Sequence, residues 1–230
     1  MRARPTDQII LYGSPPRKCY KNRPKYMRFQ FPILLSFIMF IGVLQFAIRR
    51  ARNKDQNADK KFWAREAEAN NVRRKSLDDV EYVAIDFSRL PVDVLSDDEQ
   101  VASFIKDLTD LSKEKIINLT GLTNTDLKMK YGVANLPYLS DCDNRFTMLI
   151  QILQKWNDYL WEKGLKKEAV RIMEYEISIG SDAPSAYRRL ASYYKKQGMT
   201  EKINDLIEDV EKMNLLTGKS LITDLKSYLD

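Results

Sequence analysis

Residues 184–214 read PSAYRRLASYYKKQGMTEKINDLIEDVEKMN, and this stretch decides the fold class. Tyr187, Leu190, Ala191 and Tyr194 recur at steps of three and four, which places them on one face of a helix. Gly198 stands where a helix over 184–197 would end, because glycine takes a left-handed closing turn at little steric cost. Ile203, Leu206, Ile207, Val210 and Met213 carry the same spacing through a second helix over 200–214. A helical pair joined by a tight turn is predicted. The same period predicts helices at about 144–163 and 166–179 upstream and at 219–229 downstream.

Gly164 precedes Gly198 by 34 residues and closes the helix before it in the same way. Tyr187, Leu190, Ala191, Tyr194 and Gly198, followed by Ile203, Ile207 and Val210, resemble one tetratricopeptide (TPR) unit. Leu153, Trp156, Leu160, Gly164, Ala169 and Met173 resemble a second, so the resemblance covers 146–214. It departs from the pattern at Asn157, where a small residue is expected, at Glu176, where alanine is usual, and at Pro184, which falls late. An ordinary αα-hairpin bundle is the plain alternative. The TPR resemblance implies a concave face lined by first helices. Its positions would be Arg188, Ser192 and Lys195 with Arg189 and Lys196 alongside, and Gln154, Asp158 and Trp161 beside Lys155. Such a basic groove with an aromatic residue suits an acidic peptide or a free carboxylate, held by charge-assisted bonds. The bland reading of the same residues is a solvated charged surface.

Farther upstream, Ser96-Asp97-Asp98-Glu99 reads as a capping box opening a helix over 97–112, with Val101, Phe104, Ile105, Leu108 and Leu111 on its buried face. Thr123-Asn124-Thr125-Asp126 starts a shorter helix that ends near Gly132, and 132–143 reads as a loop containing Pro137, with Ser140 and Asp143 capping the next helix. Glu81 to Asp86 is β-branched and aromatic but has no partner strand, so an extended arm lying on helices is expected.

Residues 29–48 (FQFPILLSFIMFIGVLQFAI) carry no charge. At about 1.5 Å per residue this run matches the roughly 30 Å hydrocarbon core of a bilayer. Arg49, Arg50 and Arg52 follow where a signal peptide would need small residues, so an uncleaved anchor is expected. Arg17, Lys18, Lys21, Arg23, Lys25 and Arg28 before the span balance Arg49, Arg50, Arg52, Lys54, Lys60 and Lys61 behind it. If synthesis begins at Met27, only Arg28 remains in front, and the positive-inside rule places the C-terminal part in the cytoplasm. The opposite topology would make Asn118-Leu119-Thr120 a glycosylation sequon.

Composition removes several functions. The chain has no histidine and two cysteines, Cys19 and Cys142, which lie on opposite sides of the span. Histidine-based catalysis, histidine-ligated zinc and a disulfide framework are therefore excluded. Asp141-Cys142-Asp143-Asn144 lacks the glycine and distal glutamate of a calcium loop, and no glycine-rich phosphate loop occurs. The net charge of +6 gathers beside the span, which points to anionic headgroups near Arg49, Arg50, Arg52 and Lys54 and not to nucleic acid. No metal or cofactor is expected.

Two further stretches, 62–75 (FWAREAEANNVRRK) and 118–128 (NLTGLTNTDLK) followed by Tyr131-Gly132, resemble a family of uncharacterised single-span bacterial membrane proteins. That resemblance runs from Met27 over nearly the whole chain; it implies an anchored cytoplasmic domain and brings no activity. The expectation is an all-α chain. A basic segment, disordered or untranslated, covers 1–28; a transmembrane helix 29–48; a juxtamembrane basic helix and extended arm 49–95; and a helical domain 96–230. The expected function is a non-enzymatic adaptor that binds a protein partner. A membrane-tethered chaperone outside the cytoplasm is the first alternative, and an enzyme with a carboxylate-based site the second.

Overall fold

Helix α1 (Gln30–Asn70) opens the computed structural model, which describes residues 30–213, 215 and 217–229. The expected segment 1–28, Cys19 and the side chain of Lys54 lie outside the described residues. The chain divides into two compact units, Met1–Lys60 and Lys61–Asp230.

In the first unit, Leu34–Arg52 forms a 19-residue stretch of mean hydropathy 1.6, none of it buried. Leu35, Phe37, Met39, Phe40, Val43 and Phe46 are all more than half exposed. A helix that is apolar all round must find an apolar surrounding, either a protein core or lipid. This one is long and apolar enough to span a membrane.

In the second unit, the end of α1 is held to a short helix. Glu66 accepts from Thr125 Oγ1 at 2.6 Å and pairs with Lys128, and Arg65 pairs with Asp126 at 2.7 Å. The chain then runs without regular structure, apart from a 3-10 turn at Phe87–Arg89, as the expected arm. Val83 N donates to Ile116 O at 2.9 Å and Asp86 N to the Tyr175 hydroxyl at 3.0 Å, while Val80 and Leu90 are buried.

Helices α2 (Glu99–Leu111), α3 (Asn124–Tyr131), α4 (Leu136–Glu162), α5 (Lys166–Ser178), α6 (Pro184–Gln197), α7 (Thr200–Met213) and α8 (Gly218–Lys226) follow. Among the described residues there is no strand. Each helix from α4 to α8 packs on the next, α8 returns to α6, and α2 lies on α4. One core joins α2, α4, α5 and the arm around Leu108, Leu153, Trp156 and Ile172; a second joins α5 to α8 around Tyr187, Leu190, Ile203 and Leu225. Phe104 of α2 stacks on Trp156 with ring centroids 6.5 Å apart.

The capping box at Ser96 is corrected. The cap is Asp98, whose carboxylate accepts from Gln100 N and Val101 N, while Leu95 at φ +55° turns the chain into the helix. A carboxylate at that position serves two first-turn amides, and Glu99 falls too early to reach back. The loop over 132–143 is corrected as well. After a 3-10 turn at Val133–Asn135, α4 begins at Leu136 with Pro137 in its first turn, where the missing N–H has no helical partner to lose. Ser140 and Asp143 are therefore inside α4 and cap nothing; Asp143 Oδ1 accepts instead from Leu119 N at 3.1 Å. The helix expected from Thr123 forms, and the structure closes it with a capping box in which Asp126 reaches back to Thr123.

Candidate functional site

The 34-residue recurrence extends from helix closure to burial. Gly164 and Gly198 have φ +81° and +71°, and each is followed by a residue whose N–H reaches five residues back: Leu165 N to Leu160 O and Met199 N to Tyr194 O, both 2.9 Å. Leu153, Trp156, Asn157, Leu160, Ala169, Ile172, Met173 and Glu176 are buried; so are their counterparts Tyr187, Leu190, Ala191, Tyr194, Ile203, Leu206, Ile207 and Val210. Gly180, at φ +84°, closes α5 in the same manner, with Ser181 N to Glu176 O at 3.2 Å. That third closure was not read from the sequence.

Asn157, in the place of Ala191, and Glu176 are the polar members of this buried series. Glu176 occupies the place of Val210, and it is fully buried. Its Oε1 accepts from Gln154 Nε2 at 3.1 Å and Ser181 Oγ at 3.0 Å; Oε2 has no partner. Burial pushes its pKa up to about 7 against the stabilising bonds, and Asp158 adds to the rise. Nearby, Tyr187 donates to Ser181 O at 3.1 Å, and burial raises its phenol. The signal was a charge at a core position of the repeat.

The expected groove residues are distributed over several places and do not form one surface. Gln154 is taken up by Glu176. Asp158, Trp161 and Arg189 cluster: Arg189 pairs with Asp158, approaches Asn157 Oδ1 at 3.4 Å and lies 5.4 Å above the Trp161 ring. Trp161 also meets Tyr193 edge-on at 6.4 Å and Lys166 at 5.8 Å. Arg188 makes two bonds to Asp224 of α8, at 3.0 and 2.8 Å. Ser192 is half-buried, and Lys195 is exposed with no ion pair among the described residues. Lys155 is brought to none of these. It lines a separate groove between α2 and α4, with Asp107, Asp110, Leu111, Glu114, Met148, Gln151 and Ile152. The two arginines of the expected groove are thus already paired with carboxylates within the fold.

Other candidates settle into structural roles. Cys142 is fully buried, with Arg145 Nη1 3.5 Å from its sulfur. Among the described residues no group of three or more acidic or cysteine side chains could hold a metal ion. Asn118 of the sequon donates its side-chain amide to Ile179 O and Gly180 O at 3.1 and 2.9 Å, and accepts from Thr120 N.

Comparison with known protein families, with curated proteins and with solved structures gave no match to this chain.

Proposed function

We propose that this chain is a single-pass membrane adaptor whose helical unit, Lys61–Asp230, binds a protein partner at the cytoplasmic face of the cell membrane. The observation that carries the reading is the recurrence of burial and helix closure at 34 residues, the geometry of stacked helical pairs whose outer faces are left for binding. The fully exposed apolar stretch of α1 supports the anchor. Arg49, Arg50 and Arg52, all exposed, support contact with anionic headgroups and retention of the following unit on the cytoplasmic side.

On the concave face an acidic peptide must exchange the pairs Arg188–Asp224 and Arg189–Asp158, whereas Lys195 is open to it. The interaction there depends on displacing internal carboxylates.

Alkaline carbonate extraction combined with a C-terminal topology reporter tests the reading. The chain stays in the membrane pellet, and the reporter is active only in the cytoplasm. Neutralising Arg49, Arg50, Arg52 and Lys54 together scrambles the orientation, since each basic group near an anionic surface contributes about 1 kcal/mol. Release by carbonate removes the anchor, and a reporter active outside removes the topology.

A further inference from the structure

The α2/α4 groove lies outside the expected concave face. α4 contributes a strip at i, i+3, i+4 and i+7, namely Met148, Gln151, Ile152 and Lys155; α2 contributes Asp107, Asp110 and Leu111, and Glu114 lies in the turn that follows it. Two turns of α4 make it about 10 Å long. The cavity measures about 500 Å³. Its floor is apolar: Leu111 and Ile152 are half-buried and continuous with the core, and Met148 is 55% exposed. A methionine left this open is a flexible, polarisable surface able to repack against different apolar side chains.

The walls differ in charge. α2 and the turn after it present three carboxylates, and the α4 wall ends in one lysine. Asp110 shares Lys113 at 2.7 Å and Glu114 lies 3.5 Å from Arg145, while Asp107 has no ion pair among the described residues. All three carboxylates are exposed. A groove with an apolar floor between two helices and one acidic wall selects a particular shape and charge.

We propose that the α2/α4 groove is a docking site for a short amphipathic helix whose apolar face is flanked on one side by lysine or arginine. The proposal rests on the adaptor reading and names the chemistry of its partner. Apolar side chains one turn apart seat on Leu111, Met148 and Ile152, and the basic flank lies along Asp107, Asp110 and Glu114. Rim charges of this kind steer encounter and set which partner is accepted.

The test uses the full chain in phosphatidylcholine nanodiscs. The probe is a fluorescent designed peptide, helical in isolation, with leucines at i, i+3 and i+7 and lysines on one flank. A twin peptide carries glutamates in place of the lysines. Anisotropy is read at low and physiological salt, with empty discs as the control. The lysine peptide binds and the glutamate twin does not. Met148→Gln weakens binding at least tenfold, and Asp107→Asn weakens it severalfold while flattening the salt dependence. Equal binding of both peptides, binding unchanged in both variants, or binding to empty discs overturns the proposal. So does a concentration-dependent dimer of the chain that Met148→Gln dissociates, which would give the groove to a second copy. Photo-crosslinkers placed at Met148 and at Lys195 in cells separate the two levels of the argument. Adducts at Lys195 alone, without peptide binding, remove the groove and keep an adaptor; adducts at neither position, with no peptide binding, remove both.

Discussion

Replacing Glu176 by glutamine tests whether a buried carboxyl sits inside the stacked helices. The carboxyl is fully buried, and its pKa is pushed from the ordinary 4.5 of a glutamate to about 7, chiefly by burial. Between those values the folded chain holds a proton that the unfolded chain has released. Stability contributed by the protonated group is therefore complete below about pH 4.5 and is lost as pH rises through 7. Two and a half pH units at 1.36 kcal/mol each make the loss about 3 kcal/mol at most. Glutamine keeps the oxygen that accepts from Gln154 and Ser181, and it leaves the other position unpartnered as before, so its own offset does not depend on pH. Thermal melts of both proteins in the same detergent, from pH 5 to pH 8, give the answer. Most of that loss falls between pH 5 and pH 8, and a domain of this size moves about 2–4 °C per kcal/mol, so the wild type should fall by roughly 5–10 °C relative to the variant across that window. Carboxylates such as Asp98, whose pKa is lowered first by the Tyr159 hydroxyl, titrate alike in both proteins and cancel. Parallel melting curves across the window would refute the assignment of a neutral buried acid.

Ala191→Leu inserts three carbons into a fully buried site of α6 and should cost about 1–3 kcal/mol by chemical denaturation; an unchanged midpoint would show that the helical pair packs differently. Gly132→Ala should be far worse than Gly164→Ala, although φ is +84° and +81°: at 132 the new carbon would stand 2.2 Å from Arg73 O, and at 164 nothing lies within 4 Å. Equal melting losses for the two alanines would deny the close approach at Arg73. A fragment of 61–230 should be soluble and cooperatively folded, whereas 76–230 should melt earlier, because it lacks Glu66, buried Ala69 and the Arg74 bond to Asn135 at 2.9 Å. Identical melts of the two fragments would show that residues 61–75 contribute nothing.

How far the sequence could be read depended on how local each cause was. α6 and α7 were legible because Tyr187 to Val210 carry their whole instruction in a short apolar period, and the structure ends α6 at Gln197 as expected. The first turns of α4 were not, because Pro137 and the run Asp141-Cys142-Asp143-Asn144 look like a loop by composition. Leu139, Cys142 and Phe146 still keep the buried period there. The cap of α2 was missed for a similar reason: serine and aspartate serve equally in a cap, and only the turn at Leu95 selects Asp98. The fate of the groove charges was illegible. Arg188 finds Asp224 on a helix 36 residues away and Arg189 finds Asp158 31 residues back, so each pairing belongs to packing and not to any local pattern.

Asn118 turns the sequon into a competition between two fates of a single nitrogen. In the folded chain both of its amide hydrogens are engaged, one on Ile179 O and one on Gly180 O, and together they tie down the end of α5. A Cβ on Gly180 would stand 2.6 Å from that nitrogen, so nothing larger than hydrogen fits between them. A saccharide bonded to Asn118 would take one of those hydrogens and the space around the other. Oligosaccharyl transfer and closure of α5 are therefore mutually exclusive, and whichever happens first forbids the second. A sugar found on Asn118 would mark a molecule intercepted before it folded, and a topology map of the native chain should use an engineered acceptor on an exposed helix face instead.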